Sequence, residues 1–415
     1  MAAENVSRNR YAWLVMIGCF FLQTACLGGV MNSAGIFWVP VCTELGIDRG
    51  ALGLYLTFYF VTTTFAYPLV AKFVPRWNFR VFLSTCVAII CLTQAAMGFF
   101  TAVWMWYIAG VVLGLAGALT FVVASTVLIE NWFVEKRGIA LGISMCGSGI
   151  GGMIFPILGQ YFIATMGWRM SYILTAIIIA VMALPFTIFV LHLHPEDIGL
   201  KPYGAGSATA EGEDDGVAHG MPVKKAVVTL AFICIFFYGG IEALFSGYNN
   251  HLPGFMESLG YDAAFGATIL ALAQFGYMVA TLVMGWVTDK FGVAVSTYLT
   301  LALTAASLAM FCLFHDSVSL MLAAFIFGMN SVVITISVPT LVSEIFGKKH
   351  FAEMLSYTRM SGIIGSVGAA AIGACYDMTG SFIPAFGAGI VILAICALLV
   401  AIALGQRKKI RAQWE

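Results

Sequence analysis

Charge is scarce in this chain. Only 10% of its 415 residues are Asp, Glu, Lys or Arg and 61% are hydrophobic, where a soluble domain carries about 25% charged residues. That balance excludes a water-soluble globule. The formal net charge is zero, which by itself singles out no partner, and no nucleic-acid partner is expected. Catalytic signatures are missing as well. The six His are scattered with no His-x-x-x-His pattern, no Ser or Cys nucleophile has a recognisable helper, and no glycine run has the strand–turn–helix setting of a nucleotide loop. The ten Cys lie almost all within apolar stretches without paired metal-ligand spacing, so they read as packing residues rather than disulfides or zinc ligands. No enzymatic activity, metal or cofactor is expected.

What the chain has in abundance is apolar length. Twelve stretches, at 13–39, 51–73, 81–101, 105–129, 139–164, 170–191, 227–249, 264–287, 294–314, 318–342, 351–375 and 383–404, are each long enough to cross a bilayer as a helix. They are called spans one to twelve. The expectation is an all-α integral membrane protein: a first six-helix bundle over 1–193, a linker over 194–225 and a second bundle over 226–415. The linker, with GAGSATAEGEDDG near its middle, is poor in apolar residues and reads as flexible and cytoplasmic. The polar start MAAENVSRNR leads into a span too long for a signal-peptide core, so that span is expected to be retained.

Positive charge sets the orientation. With both termini cytoplasmic, 17 of the 20 Lys and Arg fall on the inner side, all but Arg49, Arg169 and Arg359. A multi-pass protein of the plasma membrane, or of the inner membrane in a bacterium, is expected, with a monomer in the lipid bilayer as the working state.

The two halves echo each other. At an offset of about 213 residues NWFVEKRG at 131–138 falls on EIFGKKHF at 344–351, so that Phe133 meets Phe346, Lys136 meets Lys349, and Gly149 and Gly152 meet Gly362 and Gly365. PRWNFR at 75–80 and DKFGVA at 289–294 form a second, weaker echo. Duplicated bundles of this kind suit rocking about a midplane site. Gly285-Trp-Val-Thr-Asp289-Lys290-Phe-Gly292 resembles the loop signature G-x-x-x-D-[RK]-x-G of the major facilitator superfamily; its first-half counterpart has Pro75 in place of the acid and Asn78 in place of the glycine. The stretch from Asn131 through Lys136, Arg137, Gly142 and Gly147 to Gly149 resembles the lead into helix five of monocarboxylate and oxalate/formate carriers. Pro195–Pro202 and Tyr376–Ser381 are similar to passages of the same group. The resemblance runs along nearly the whole chain and implies the major facilitator fold, twelve helices in two pseudo-symmetric bundles.

Two charges inside apolar spans carry the functional reading. Arg359 lies about two turns into span eleven and Glu242 about four turns into span seven, a depth difference of roughly 10 Å. Neither should face lipid. The resemblance implies a cavity cation on span eleven, where Arg359 stands, able to grip a carboxylate by two parallel hydrogen bonds. Thr281 and Leu282 occupy the place of a span-eight arginine, and Tyr277 and Met278 that of an acid, which points to a monoanion or a weakly charged molecule rather than a dianion. Arg359 reads either as substrate binder or as structural partner of Glu242. Glu242 reads either as a proton-exchanging group or as that permanent partner. Asn32 and Ser33 on span one, Tyr59 on span two, Gln274 and Tyr277 on span eight, Asn330, Ser331 and Thr335 on span ten and Tyr357 on span eleven are the uncharged candidates for substrate contact, each equally able to bond a neighbouring helix. Lys136, Arg137, Asp289 and Lys290 at cytoplasmic helix ends read as conformational latches or as plain topology determinants. Gly142, Gly147, Gly149, Gly151 and Gly152 on span five, and Gly362, Gly365 and Gly368 on span eleven, read as close-packing positions, with Gly151–Pro156 a possible bend.

The function expected is a secondary carrier driven by a proton or a counter-solute gradient. Its small-molecule substrate is an organic anion, foremost a monocarboxylate. A carrier of a neutral or larger metabolite is the alternative, and a ligand sensor that does not transport is the alternative from another class.

Overall fold

The computed structural model describes residues 2–73, 77–204, 220–347 and 349–412, with no β-strand among them. Pro75, Arg76, Lys348 and most of the acidic linker sequence lie outside the described residues. Among the described residues nine helical runs are long and apolar enough to cross a membrane. One of them, Ile139–Phe189, holds spans five and six, because Gly167 inside it adopts φ 82 and ψ 161. Span two, Arg49–Phe73, and span eleven, broken into Phe351–Arg359, Gly362–Gly365 and Gly368–Thr379, complete the twelve.

Local chemistry sets the helix ends. Asn78 caps span three by accepting from the N–H groups of Arg80 and Val81. Thr229 caps span seven, Asp262 span eight and Asp316 span ten, each through its side chain; such caps are worth about 1 kcal/mol apiece. Gly46 (φ 62) ends span one and Gly292 (φ 87) turns span eight into span nine, both in the left-handed region that a side chain disfavours.

The contacts divide the chain into two units, Met1–Ile47 with Val61–Glu211, and Asp48–Phe60 with Gly212–Glu415. The first turns of span two therefore cluster with the second unit. In the first unit span one packs along span five. Gly147 and Gly151 permit this approach, since a Cβ on them would lie 2.3 Å from the carbonyl oxygen of Phe20 and 2.1 Å from that of Thr24. Gly365 and Gly368 play the same part in the second unit, against Ala243 and Leu244 of span seven. In lipid, where apolar burial does not drive helices together, such close approach supplies the packing energy. Gly142 and Gly362 do not follow this expectation, as no atom lies within 4 Å of a Cβ placed on them. Helical backbone angles continue through Pro156, and Gly167 is the one departure inside the long run. The second unit centres on Tyr248, Phe255, Phe311, Phe382 and Phe386, with Phe255 and Phe386 edge-to-face at 4.8 Å.

Spans four and ten repeat one another's irregularity. Span four passes from an α-helix into a π-helical turn, Leu119–Val123, then into Ala124–Trp132; span ten has a π-helical turn, Val333–Ser337, then Val338–Phe346. Every boundary is displaced by 214 residues (119 to 333, 124 to 338, 132 to 346). The residues that follow, Phe133 and Gly347, keep the same displacement and each enters an isolated β-bridge, but their partners Tyr203 and Gly220 do not correspond. The repeat read from sequence at about 213 is thus one residue longer in space. Trp132, not Phe133, is the counterpart of Phe346, and both side chains are fully buried.

Candidate functional site

In the second unit, span seven carries a buried polar row. Glu242 is 1% exposed, and Tyr238, one helical turn earlier, is fully buried. Positions four apart share a helix face. The Glu242 carboxylate lies beside Asn330 of span ten, Cys396 of span twelve and the Tyr238 phenol. None of these neighbours reaches ordinary hydrogen-bond geometry, and both Glu242 oxygens and the Tyr238 hydroxyl have no hydrogen-bond partner among the described residues. Asn330 is held in turn, its Oδ1 accepting from Thr304 Oγ1 at 3.2 Å. Native interiors rarely leave buried polar atoms unsatisfied, and those that do tend to have functional reasons. Tyr238 and Thr304 escaped the sequence reading, although the spacing of Tyr238 from Glu242 was visible.

Arg359 stands elsewhere. It is the last residue of the first segment of span eleven, immediately before the helix breaks at Met360, and it is exposed. No ion pair joins it to Glu242, so the permanent pairing that the sequence left open is not formed. Tyr357 is also exposed, at 43%. On span ten Ser331 and Thr335 are exposed and sit at the irregular segments Met329–Ser331 and Val333–Ser337. The Thr335 hydroxyl bonds back to the carbonyls of Ser331 and Val332. Gln274 and Tyr59 are buried and Tyr277 is half-buried. Thr281 spends its hydroxyl on the Tyr277 carbonyl at 2.9 Å. Irregular backbone at membrane depth is tolerated where it lines a polar cavity or is buried in protein, and the two interrupted spans of this unit hold most of its candidate residues.

Span one of the first unit is interrupted in the same way. A π-helical segment, Gln23–Met31, precedes a turn at Asn32 and Ser33, after which the helix resumes at Gly35–Leu45. Asn32 donates through Nδ2 to the Ser148 carbonyl of span five at 3.1 Å, and buried Ser33 bonds the Gly29 carbonyl. A Cβ on Gly28 would fall 2.6 Å from Gly151 Cα, so the room the glycines leave is taken by span five.

The helix-end residues divide. Lys136 has φ 56, the one positive value outside glycine among the described residues, and it begins the span-five helix. Such a conformation costs of order 1 kcal/mol or more and persists only where the surroundings impose it. Lys290 Nζ lies 4.8 Å from the Trp286 ring centre and 5.3 Å from that of Phe291, cation–π contacts within its own span. The side chains of Arg137 and Asp289 lie outside the described residues.

One cluster in the second unit was not anticipated. Asp377, at the end of span eleven, accepts from the backbone N–H groups of Arg49 (3.2 Å) and Gly50 (2.8 Å). Arg49 lays its guanidinium 4.2 Å over the Tyr376 ring. Contacts across 328 residues of sequence leave no local signal.

Comparison with known proteins agrees with this architecture. The family profile of the Major Facilitator Superfamily matches residues 19–273 and 231–413. Monocarboxylate transporter 13 of Rattus norvegicus is 25% identical over 400 residues, covering 94% of this chain and 88% of the relative. The MFS-type transporter hasB of Aspergillus fumigatus is 26% identical over 343 residues, covering 77% and 72%. Among solved structures, the nucleoside transporter NupG superposes with a TM-score of 0.70 at 14% identity, covering 95% of this chain and 98% of that one. A bacterial homolog of the human lysosomal transporter Spinster reaches 0.71 at 14% identity, covering 96% and 98%; both likenesses concern the fold alone. With twelve spans, repeated irregular helices in each half and a family profile along nearly its whole length, the chain belongs to the Major Facilitator Superfamily.

Proposed function

We propose that this membrane transporter carries a small organic monoanion, a monocarboxylate, by alternating access, with Arg359 binding the carboxylate and Glu242 coupling transport to protons. The observation that carries the reading is an exposed arginine at the break of a membrane-spanning helix with no carboxylate partner of its own among the described residues. Such a guanidinium is costly against lipid, and an anionic ligand offsets that cost. The naming of related proteins as monocarboxylate transporters supports the same substrate class.

Glu242 supports coupling rather than binding. It is buried and no cation among the described residues neutralises it. Charging such a group in a low-dielectric site is expensive, which ties its proton to the arrival of water or substrate rather than to exchange with Arg359. Loss of a second intramembrane cation, with Thr281 turned back on its own helix, favours one negative charge on the substrate and keeps a neutral metabolite as the second reading.

Purified protein in proteoliposomes decides between them. A screen of monocarboxylates, dicarboxylates, nucleosides and sugars, with and without an imposed pH gradient, is expected to give saturable uptake of one or more monocarboxylates, stimulated by an inward proton gradient. Saturable uptake of a neutral solute that carboxylates fail to inhibit would overturn the assignment.

A further inference from the structure

Two adjoining recesses lie in the first unit, and none of the residues proposed for transport lines them. The larger, about 690 Å³, is lined by Arg80, Asn131, His192, His194 and Asp197 together with Trp77 and Asn78. The second, about 490 Å³, is almost wholly apolar and shares Trp77 and Asn78 with the first; it continues along Val81, Phe82, Thr85, Cys86 and Ile89 of span three. These positions follow the three- and four-residue spacing of a single helix face. From Asn78 to Ile89 the groove runs roughly 16 Å at the helical rise, about half of the ~30 Å hydrocarbon thickness and hence one leaflet. Trp77, 58% exposed, stands where the polar cavity meets the apolar groove, the position an interfacial tryptophan prefers.

The polar cavity is a built one. Asn131 Nδ2 donates to the Leu193 carbonyl at 3.0 Å and Trp132 Nε1 to the His192 carbonyl at 2.8 Å, so the segment after span six is pinned as a wall. Arg80 Nη1 donates to His192 Nε2 at 2.8 Å, which orients the guanidinium and leaves its other N–H groups available. Asp197 Oδ2 accepts from the His194 backbone N–H at 3.1 Å. Among the described residues Arg80 has no carboxylate partner and Asp197 no cation partner. One cavity therefore presents a cation and an anion, neither in an ion pair among the described residues, beside a groove of one-leaflet length.

We propose that this paired recess holds a single zwitterionic glycerophospholipid bearing a primary amine, with its phosphate on Arg80, its ammonium on Asp197 and one acyl chain along the Trp77–Ile89 face of span three. A free phosphate would leave the apolar groove empty, and a purely anionic headgroup would face the unneutralised Asp197 carboxylate. A quaternary amine cannot donate hydrogen bonds to Asp197, which separates phosphatidylethanolamine from phosphatidylcholine.

The test is lipid retention by the full-length protein, measured by native mass spectrometry and by thermal unfolding in detergent with added phosphatidylethanolamine, phosphatidylcholine or phosphatidylglycerol. Phosphatidylethanolamine is expected to be retained about tenfold over the other two, the scale of a charge-assisted hydrogen bond. Asp197→Asn should abolish that preference, Arg80→Gln should lower retention of all three lipids because each carries the phosphate, and Arg80→Lys should keep both retention and preference. Thr85→Trp, which fills the groove, should lower retention although both charges remain. Unfolding temperatures measured without added lipid establish that each variant is folded. Equal retention of the three lipids, a preference for phosphatidylglycerol, retention unchanged in Arg80→Gln, or a preference unchanged in Asp197→Asn would overturn the proposal.

Discussion

Glu242 and Arg359 are charges placed where a bilayer penalises them, and no ion pair joins them. If Glu242 carries the coupled proton, Glu242→Gln should reduce uphill accumulation driven by a pH gradient at least tenfold while exchange between equally loaded compartments survives, because exchange need not cycle the empty carrier. Parallel loss of both activities in a folded variant would assign Glu242 to structure or to substrate binding. His192 offers a pH test outside the membrane spans. Burial, and then the Arg80 guanidinium, hold its imidazole below the ordinary 6.5, with Asp197 opposing; the Tyr11 ring also faces it, at 6.4 Å. The unfolded chain thus takes up this proton first, so stability present above pH 6.5 is lost as pH falls toward the lowered value in the folded state. Thermal unfolding across that window should fall more steeply for the wild type than for His192→Gln. Coincident curves would mean that the imidazole environment contributes nothing.

At the scale of the element, glycine contacts and caps carry measurable energies. A side chain at Gly151 would place its Cβ 2.1 Å from the Thr24 carbonyl oxygen, and one at Gly365 would place it 2.3 Å from Ala243 Cβ. Gly151→Ala and Gly365→Ala should each cost about 1–3 kcal/mol, the usual range for overpacking, whereas Gly142→Ala and Gly362→Ala, which meet open space, should be neutral or slightly stabilising, since Ala exceeds Gly in helix propensity. Detergent unfolding of the four variants makes the comparison, and equal effects would show that the close contacts do not govern packing. Asp377 caps the first turn of span two, so Asp377→Ala should lower stability by about 1–2 kcal/mol and Asp377→Asn, which still accepts, by much less. A loss as large in Asp377→Asn as in Asp377→Ala would attribute the effect to charge rather than to capping.

For the whole molecule, hydropathy disclosed twelve spans, because membrane length and backbone self-satisfaction leave a helix few alternatives, and matching residues in the two halves disclosed the internal repeat. It did not disclose where helices loosen. Leu119–Val123 and Val333–Ser337 contain neither Pro nor Gly, so no local breaker marks their π-helical turns. Arg359 and Glu242 stood out as charges at different depths, yet whether they pair was invisible, because depth along two helices does not say which faces meet. The Asp377 cap and the Arg80–Asp197 cavity arise from segments distant in sequence and left no local pattern. The central claim, an organic-anion carrier whose arginine holds the carboxylate, is tested most directly by monocarboxylate uptake into proteoliposomes containing equal amounts of inserted wild type, Arg359→Ala and Arg359→Lys. The account predicts saturable uptake for the wild type, loss of at least a hundredfold in Arg359→Ala, and weak residual activity in Arg359→Lys, where charge survives without bidentate geometry. Undiminished affinity and uptake in a folded Arg359→Ala protein would contradict it.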